Sequence, residues 1–124
     1  ALPELSGKLS GNAIRVPTPD VSMAILNLTL DKATDRQALN EYLRQMALHS
    51  RMQKQIDYVD SCEVVSSDFV GNRHSGIVDG QATIVTDKQA VVYVWYDNEF
   101  GYSCQVVRIL QHMSNVRFSY FPTR

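Results

Sequence analysis

Cysteine is scarce in this chain of 124 residues: Cys62 and Cys104 are the two present. They lie far apart, with no CxxC and no paired His/Cys spacing, so they support neither a disulfide scaffold nor a metal site. Proline and glycine are few, 4 and 6, and nowhere dense enough to form a linker that would divide the chain. Charge of one sign is missing too. Twelve Lys and Arg stand against 13 Asp and Glu, a net charge of -1. That balance gives no electrostatic case for a nucleic acid or an anionic membrane as partner. No apolar run approaches the roughly 20 residues that span a bilayer, and no basic stretch leads into an apolar one as in a signal peptide. What is present is globular: 44% hydrophobic and 20% charged residues, in a length that suits one domain with a core of its own.

The hydrophobic pattern divides the chain into elements. Leu9–Val16 reads as a strand, interrupted by Gly11 and stopped by Pro17 and Pro19. Val21–Leu30 reads as a stronger one. Ala24, Leu26, Leu28 and Leu30 fall on one face; Met23, Ile25, Asn27 and Thr29 make a mixed, partly covered second face. The period then changes. Thr34 and Gln37 form a T-x-x-Q capping box, and Leu39, Tyr42, Leu43, Met46 and Ala47 follow at helical spacing. Asn40, Glu41, Arg44 and Gln45 make up the opposite, polar face. Residues 50–76 read as irregular, with a short strand candidate at Cys62–Val65. Gly80–Val85 and Ala90–Tyr96 form a hairpin through Thr86-Asp87-Lys88-Gln89. Val106, Val107, Leu110 and Met113 mark a second helix, and an aromatic tail with Phe118, Tyr120 and Phe121 follows. The expected fold is α+β: a mostly antiparallel or mixed sheet with helices packed on one face.

Two residues stand out chemically. Arg15, between Ile14 and Val16, is costly in an apolar strand unless its guanidinium meets an anion. It is either half of an ordinary salt bridge or a fork for a phosphate or carboxylate. In Trp95-Tyr96-Asp97-Asn98-Glu99-Phe100-Gly101-Tyr102-Ser103 a strong strand runs into a helix start, where free backbone N–H groups collect. Asn98 offers a donor and an acceptor on one planar amide, suited to reading another amide; its plainer role is a helix cap. Tyr96 and Tyr102 are packing residues on composition alone. Neither cysteine looks like an activated nucleophile. Glu63 beside Cys62 would raise that thiol's pKa, and Cys104, near a helix start, reads as a packed thiol.

Four segments carry a resemblance. They are Leu2-Pro3-Glu4-Leu5-Ser6-Gly7-Lys8-Leu9-Ser10-Gly11, Arg15-Val16-Pro17-Thr18-Pro19-Asp20-Val21-Ser22, Val64-Val65-Ser66-Ser67-Asp68-Phe69 and the Trp95–Ser103 cluster. In this order they resemble the glyceraldehyde-3-phosphate dehydrogenases. The resemblance covers residues 1–113 and points to the C-terminal part of that family's catalytic domain, with 114–124 as a separate tail. It implies a cytoplasmic, tetrameric parent enzyme of glycolysis and gluconeogenesis with NAD as cofactor, NADP not being excluded. Such an enzyme oxidises a phosphorylated aldehyde through a cysteine thioester that inorganic phosphate cleaves. It further implies that Arg15 binds phosphate, that Asn98 hydrogen-bonds the nicotinamide carboxamide, and that Tyr102 lies near the same ring. The family's nucleophile segment and catalytic histidine match nothing here, so this chain alone is expected to be inactive. Asn12 and Cys104 depart from the family pattern. An erythrose-4-phosphate or NADP-preferring relative, or a non-catalytic assembly module on the same fold, are the alternatives. No metal is expected.

Overall fold

The computed structural model describes residues 2–116; Phe118, Tyr120 and Phe121 of the aromatic tail lie outside them. Four strands and two helices follow in the order β1 (Ser22–Thr29), α1 (Arg36–His49), β2 (Ile56–Val59), β3 (Gly76–Thr86), β4 (Gln89–Tyr96) and α2 (Phe100–Met113). The sheet is mixed, in the order β1-β4-β3-β2. β1 and β3 both run antiparallel to β4, and β2 runs parallel to β3. The α+β class read from the sequence is therefore the observed one.

β4 sits centrally because it is the most β-prone stretch: β-branched and aromatic residues suit a pleated surface covered on both sides. It joins β3 through a tight turn with Asp87 at φ 55, a conformation that Asp tolerates better than most residues. β3 is longer than its apolar run suggests and carries a bulge. Asp79 pairs with Tyr93 but Ile84 with Val91, so the register shifts between them. The Asp79 carboxylate organises this bulge. Its Oδ1 accepts from the Gln81 and Ala82 backbone N–H groups at 3.1 and 3.3 Å, and its Oδ2 from Trp95 Nε1 at 3.2 Å.

The two sheet faces are covered differently. On one, Val21, Phe69 and Ile77 form a buried cluster, with Val59, Val64 and Trp95 packed against it. The Phe69 and Trp95 rings stack 5.4 Å apart. Ile77, 1% exposed, is the kind of side chain whose burial contributes about 1.5–3 kcal/mol. Helix α1 lies against β2 and β3.

Five local expectations are corrected. Leu9–Val16 is not a strand but an exposed coil; Gly11 weakens it, and Ile14 and Val16 find nothing to pack against among the described residues. Cys62–Val65 is also coil, while Ile56–Val59 pairs instead. Asp35, not Thr34, caps α1 through its side chain, accepting from Ala38 N at 2.8 Å. Thr34 donates its own N–H to the Asp87 carbonyl, which ties the helix entry to the hairpin turn. In the α1 stripe Tyr42 is exposed and Asn40 turns inward, its Nδ2 donating to the Gly80 carbonyl at 2.9 Å. Finally, β1 is covered only at its start: Met23 and Ala24 are half-buried, while Ile25, Leu26 and Leu28 are exposed.

Candidate functional site

The sequence motifs meet where β4 ends and α2 begins. Asp97, the residue directly after β4, is 3% exposed. Its Oδ1 accepts from the backbone N–H groups of Phe100 and Glu99 at 2.8 and 3.1 Å. Its Oδ2 accepts from Gly71 N at 2.9 Å, and its carbonyl takes the first helical N–H, that of Gly101. One side chain thus caps α2 and ties it to the loop before β3. The amides of Phe100 and Gly71, in that order, hold the Asp97 carboxyl below its ordinary value of 3.8; burial opposes them, and the Glu99 amide adds to them.

Gly101 makes the close packing possible. A Cβ there would stand 2.5 Å from the His74 carbonyl oxygen and 3.4 Å from that of Asn72. Further along α2, Gln105 Nε2 donates to the carbonyls of Lys54 and Arg73 at 3.1 and 3.0 Å. The helix start is therefore fixed from three directions.

On this scaffold Asn98 and Tyr102 are both exposed, Tyr102 at 70%. The Asn98 amide makes no hydrogen bond among the described residues. Capping falls to Asp97, so the plainer role for Asn98 is overturned and both ends of its amide are available. Arg15 lies in the exposed coil before β1 and makes no ion pair or hydrogen bond among the described residues. The ordinary salt bridge considered for it is absent there. β1 and β4 are antiparallel with Ser22 opposite Tyr96. The segment carrying Arg15 therefore enters the sheet at the end where β4 leaves toward Asn98. The fold brings Asn98 and Tyr102 to one helix start and leads the coil that carries Arg15 into β1 at the same end of the sheet; Arg15 makes no hydrogen bond or ion pair with either residue.

That entry is conformationally unusual. Val21, the buried residue leading into β1, has φ 65. A β-branched residue in the left-handed region costs on the order of 1–3 kcal/mol. Its side chain is held among Phe69 and Ile77, and its N–H is taken by Asp20 Oδ1 at 2.7 Å. Such strain persists where the surroundings over-determine the backbone, often beside a binding site.

Asp97 escaped the sequence reading, although an Asp directly after a strand and before a helix is an N-cap signal. Asn98 beside it drew the attention.

The geometry defines a class of protein: an α+β sheet domain that leaves exposed polar side chains, Asn98 and Tyr102, at one rigidly held helix start. Comparison with known sequences gives the family. The model for "Glyceraldehyde 3-phosphate dehydrogenase, C-terminal domain" matches residues 1–98. A glyceraldehyde-3-phosphate dehydrogenase-like protein of Pseudomonas aeruginosa is 69% identical over 122 residues, which are 98% of this chain and 26% of that protein. A glyceraldehyde-3-phosphate dehydrogenase of Schistosoma mansoni is 44% identical over 93% of this chain and 34% of its own length. Glyceraldehyde-3-phosphate dehydrogenase 2 of Bacillus subtilis is 42% identical over 91% and 33%. This chain belongs to the glyceraldehyde-3-phosphate dehydrogenase family and corresponds to its C-terminal domain. It spans a quarter to a third of these relatives.

Proposed function

We propose that the chain is the C-terminal catalytic-domain portion of an NAD-dependent, phosphorylating glyceraldehyde-3-phosphate dehydrogenase. The observation that carries this reading is the unengaged Asn98 amide, held at a helix start that Asp97 caps. An amide with donor and acceptor both free fits the nicotinamide carboxamide, which offers the complementary pair. The nearby Tyr102 phenol fits the border of the same ring, so the residues present suit the cofactor. When bound, the nicotinamide supplies the hydride acceptor. Asn98 fixes which face of the ring is presented, and Tyr102 limits how far the ring can swing. Arg15 presents a planar fork of donors to the phosphate of the aldehyde or to inorganic phosphate. The reacting cysteine and the base belong to the rest of the parent protein. Cys62 and Cys104 take no part, and the chain by itself is inactive. The exposed apolar side chains of β1 and its unpaired edge suit a homo-oligomeric parent, working in the cytoplasm. Among the described residues no helix is long and apolar enough to cross a membrane.

A second reading has an observation behind it. The Pseudomonas relative is named only dehydrogenase-like, and the chain covers 26% of it against 34% of the Schistosoma enzyme. It is a longer protein, and a related aldehyde such as erythrose 4-phosphate, or NADP, is the alternative for this chain's parent. The test uses the full-length parent with phosphate, NAD or NADP, and each aldehyde in turn. Reduction of NAD with the triose phosphate, lost in Arg15→Ala, supports the first reading. Preference for the tetrose or for NADP selects the second. No turnover with either aldehyde overturns both and leaves an assembly module.

A further inference from the structure

A second polar site lies away from the β4–α2 junction. A cleft of about 560 Å³ opens between α1 and the sheet, lined by Arg36, Asn40, Arg44, Tyr58, Asp60 and Gln81 among others. Its floor is Gly80. A side chain there would collide with the Tyr58 hydroxyl, so the phenol lies directly over the bare backbone. The Gly80 carbonyl accepts from Arg36 Nη2 at 3.3 Å and from Asn40 Nδ2 at 2.9 Å.

Three features of this lining are unfinished. The Asn40 Oδ1 is buried and has no hydrogen-bond partner. Its amide is oriented by the Nδ2–Gly80 bond, so turning it over would set oxygen against oxygen. An orphaned acceptor of this kind costs about 1–3 kcal/mol unless something donates to it. Next, Arg36 is held only by two backbone carbonyls, those of Gly80 and Gln81, both through Nη2. It has no carboxylate partner among the described residues, and Nε and Nη1 remain free. Lastly, Asp60 accepts from Gln81 Nε2 and likewise has no ion pair among the described residues. Opposite charges are thus fastened to the same residue, Gln81, yet are not paired with each other. The other two charges of the cleft cancel locally: Arg44 is bound bidentately to Glu41 at 2.9 and 3.0 Å.

We infer that this cleft binds a small zwitterion, the simplest class being a free α-amino acid. Its carboxylate meets the Arg36 fork, and its ammonium is taken by the Asp60 carboxylate. The charge balance argues against a phosphate ester, because the lining holds as many carboxylates as guanidiniums. The unpaired charges argue against an apolar ligand, which would leave both unsatisfied. Tyr58 shares this lining: burial first and the Asp60 charge second raise its hydroxyl pKa, while Arg36 lowers it. The phenol is therefore a neutral donor at physiological pH. Nothing here depends on the dehydrogenase reading.

The test is a thermal-shift and calorimetric titration of the full-length protein. The probes are the individual free L-amino acids at millimolar concentration, with glucose and inorganic phosphate in parallel. The expected result is saturable binding of at least one amino acid. It weakens about ten-fold or more in Asp60→Asn and in Arg36→Gln, and is unchanged in Asp31→Asn, a charge removed from the exposed loop after β1. Asp60 is exposed, so its variant should fold; an unchanged melting temperature without ligand confirms that. Three outcomes overturn the inference: no amino acid binds, binding survives both variants, or glucose or phosphate binds in place of the amino acids. The first means that water alone serves the Arg36 and Asp60 charges.

Discussion

Removing the Asp97 carboxylate should loosen the junction more than removing any other polar group near it. In Asp97→Ala the N–H groups of Phe100, Glu99 and Gly71 lose their acceptor. Losing a helix cap costs about 0.5–2 kcal/mol. Losing the charge-assisted tie to Gly71 adds about 1.5–3 kcal/mol. Glu99, Phe100 and Gly71 are exposed, so water recovers part of this, and the net loss should be about 2–4 kcal/mol. For a domain of this size that lowers the melting temperature by on the order of 10 °C. Acid gives an independent check. The folded carboxyl titrates below its ordinary value of 3.8, so its contribution is fully present above the unfolded pKa. It is lost as pH falls through the lower, folded one. Asp97→Asn should therefore be less stable than the parent by a constant amount at neutral pH. The two should converge in urea unfolding below about pH 4. If Asp97→Ala melts within about 2 °C of the parent, or if the gap to Asp97→Asn widens in acid, the carboxylate does not hold the junction.

The remaining expectations concern its neighbours. Gly101→Ala should cost about 1–3 kcal/mol, read by urea unfolding, because the added carbon meets the His74 backbone and not a flexible side chain; a neutral result would show that the helix start can shift. In the full-length parent, Asn98→Ala should slow single-turnover NAD reduction and leave unfolding within about 0.5 kcal/mol. Equal rates would remove Asn98 from the cofactor site. Arg15→Ala should lose about 30-fold or more in kcat/KM with the phosphorylated aldehyde, and clearly less with a phosphate-free one; equal losses would remove the phosphate contact. The isolated chain should sediment as a dimer or larger species through its β1 edge, and a monomer at tens of micromolar would show that the edge is sealed some other way.

The legible parts of this fold were those where one physical signal acted alone. The β3–β4 hairpin shows because apolar alternation and a turn agree, and α1 because a 3.6-residue stripe runs unbroken. Ile56–Val59 was hidden: four residues with an Asp among them look like coil, and only a parallel neighbour makes them a strand. Leu9–Val16 failed in the opposite way, since its apolar residues promise a strand but have no strand to pair with in the described chain. At the site, residue types announced an amide reader and an anion fork. Composition could not show that Asp97 takes the capping role and leaves Asn98 free. The inward turn of Asn40 was equally invisible, because an asparagine on a helix reads as solvent-facing until the Gly80 carbonyl is placed beneath it.

The sheet order also sets the timing of assembly. β3 and β4 meet across a two-residue turn, so they can zip within microseconds of both being available. β1 must wait: Thr29 pairs with Gln89 and Ser22 with Tyr96, so its partner strand is synthesised some sixty residues later. A chain emerging from the ribosome at about 5–20 residues per second carries β1 unpaired for several seconds, with the backbone N–H and C=O groups that β4 will engage open to chaperones or to other nascent chains. α1, whose capping and apolar stripe are local, can form during that interval and then meet β2 and β3, the strands it packs against, as they follow it in the chain. The most exposed interval in the life of this domain is therefore its synthesis, and it ends when the last residues of β4 clear the exit tunnel.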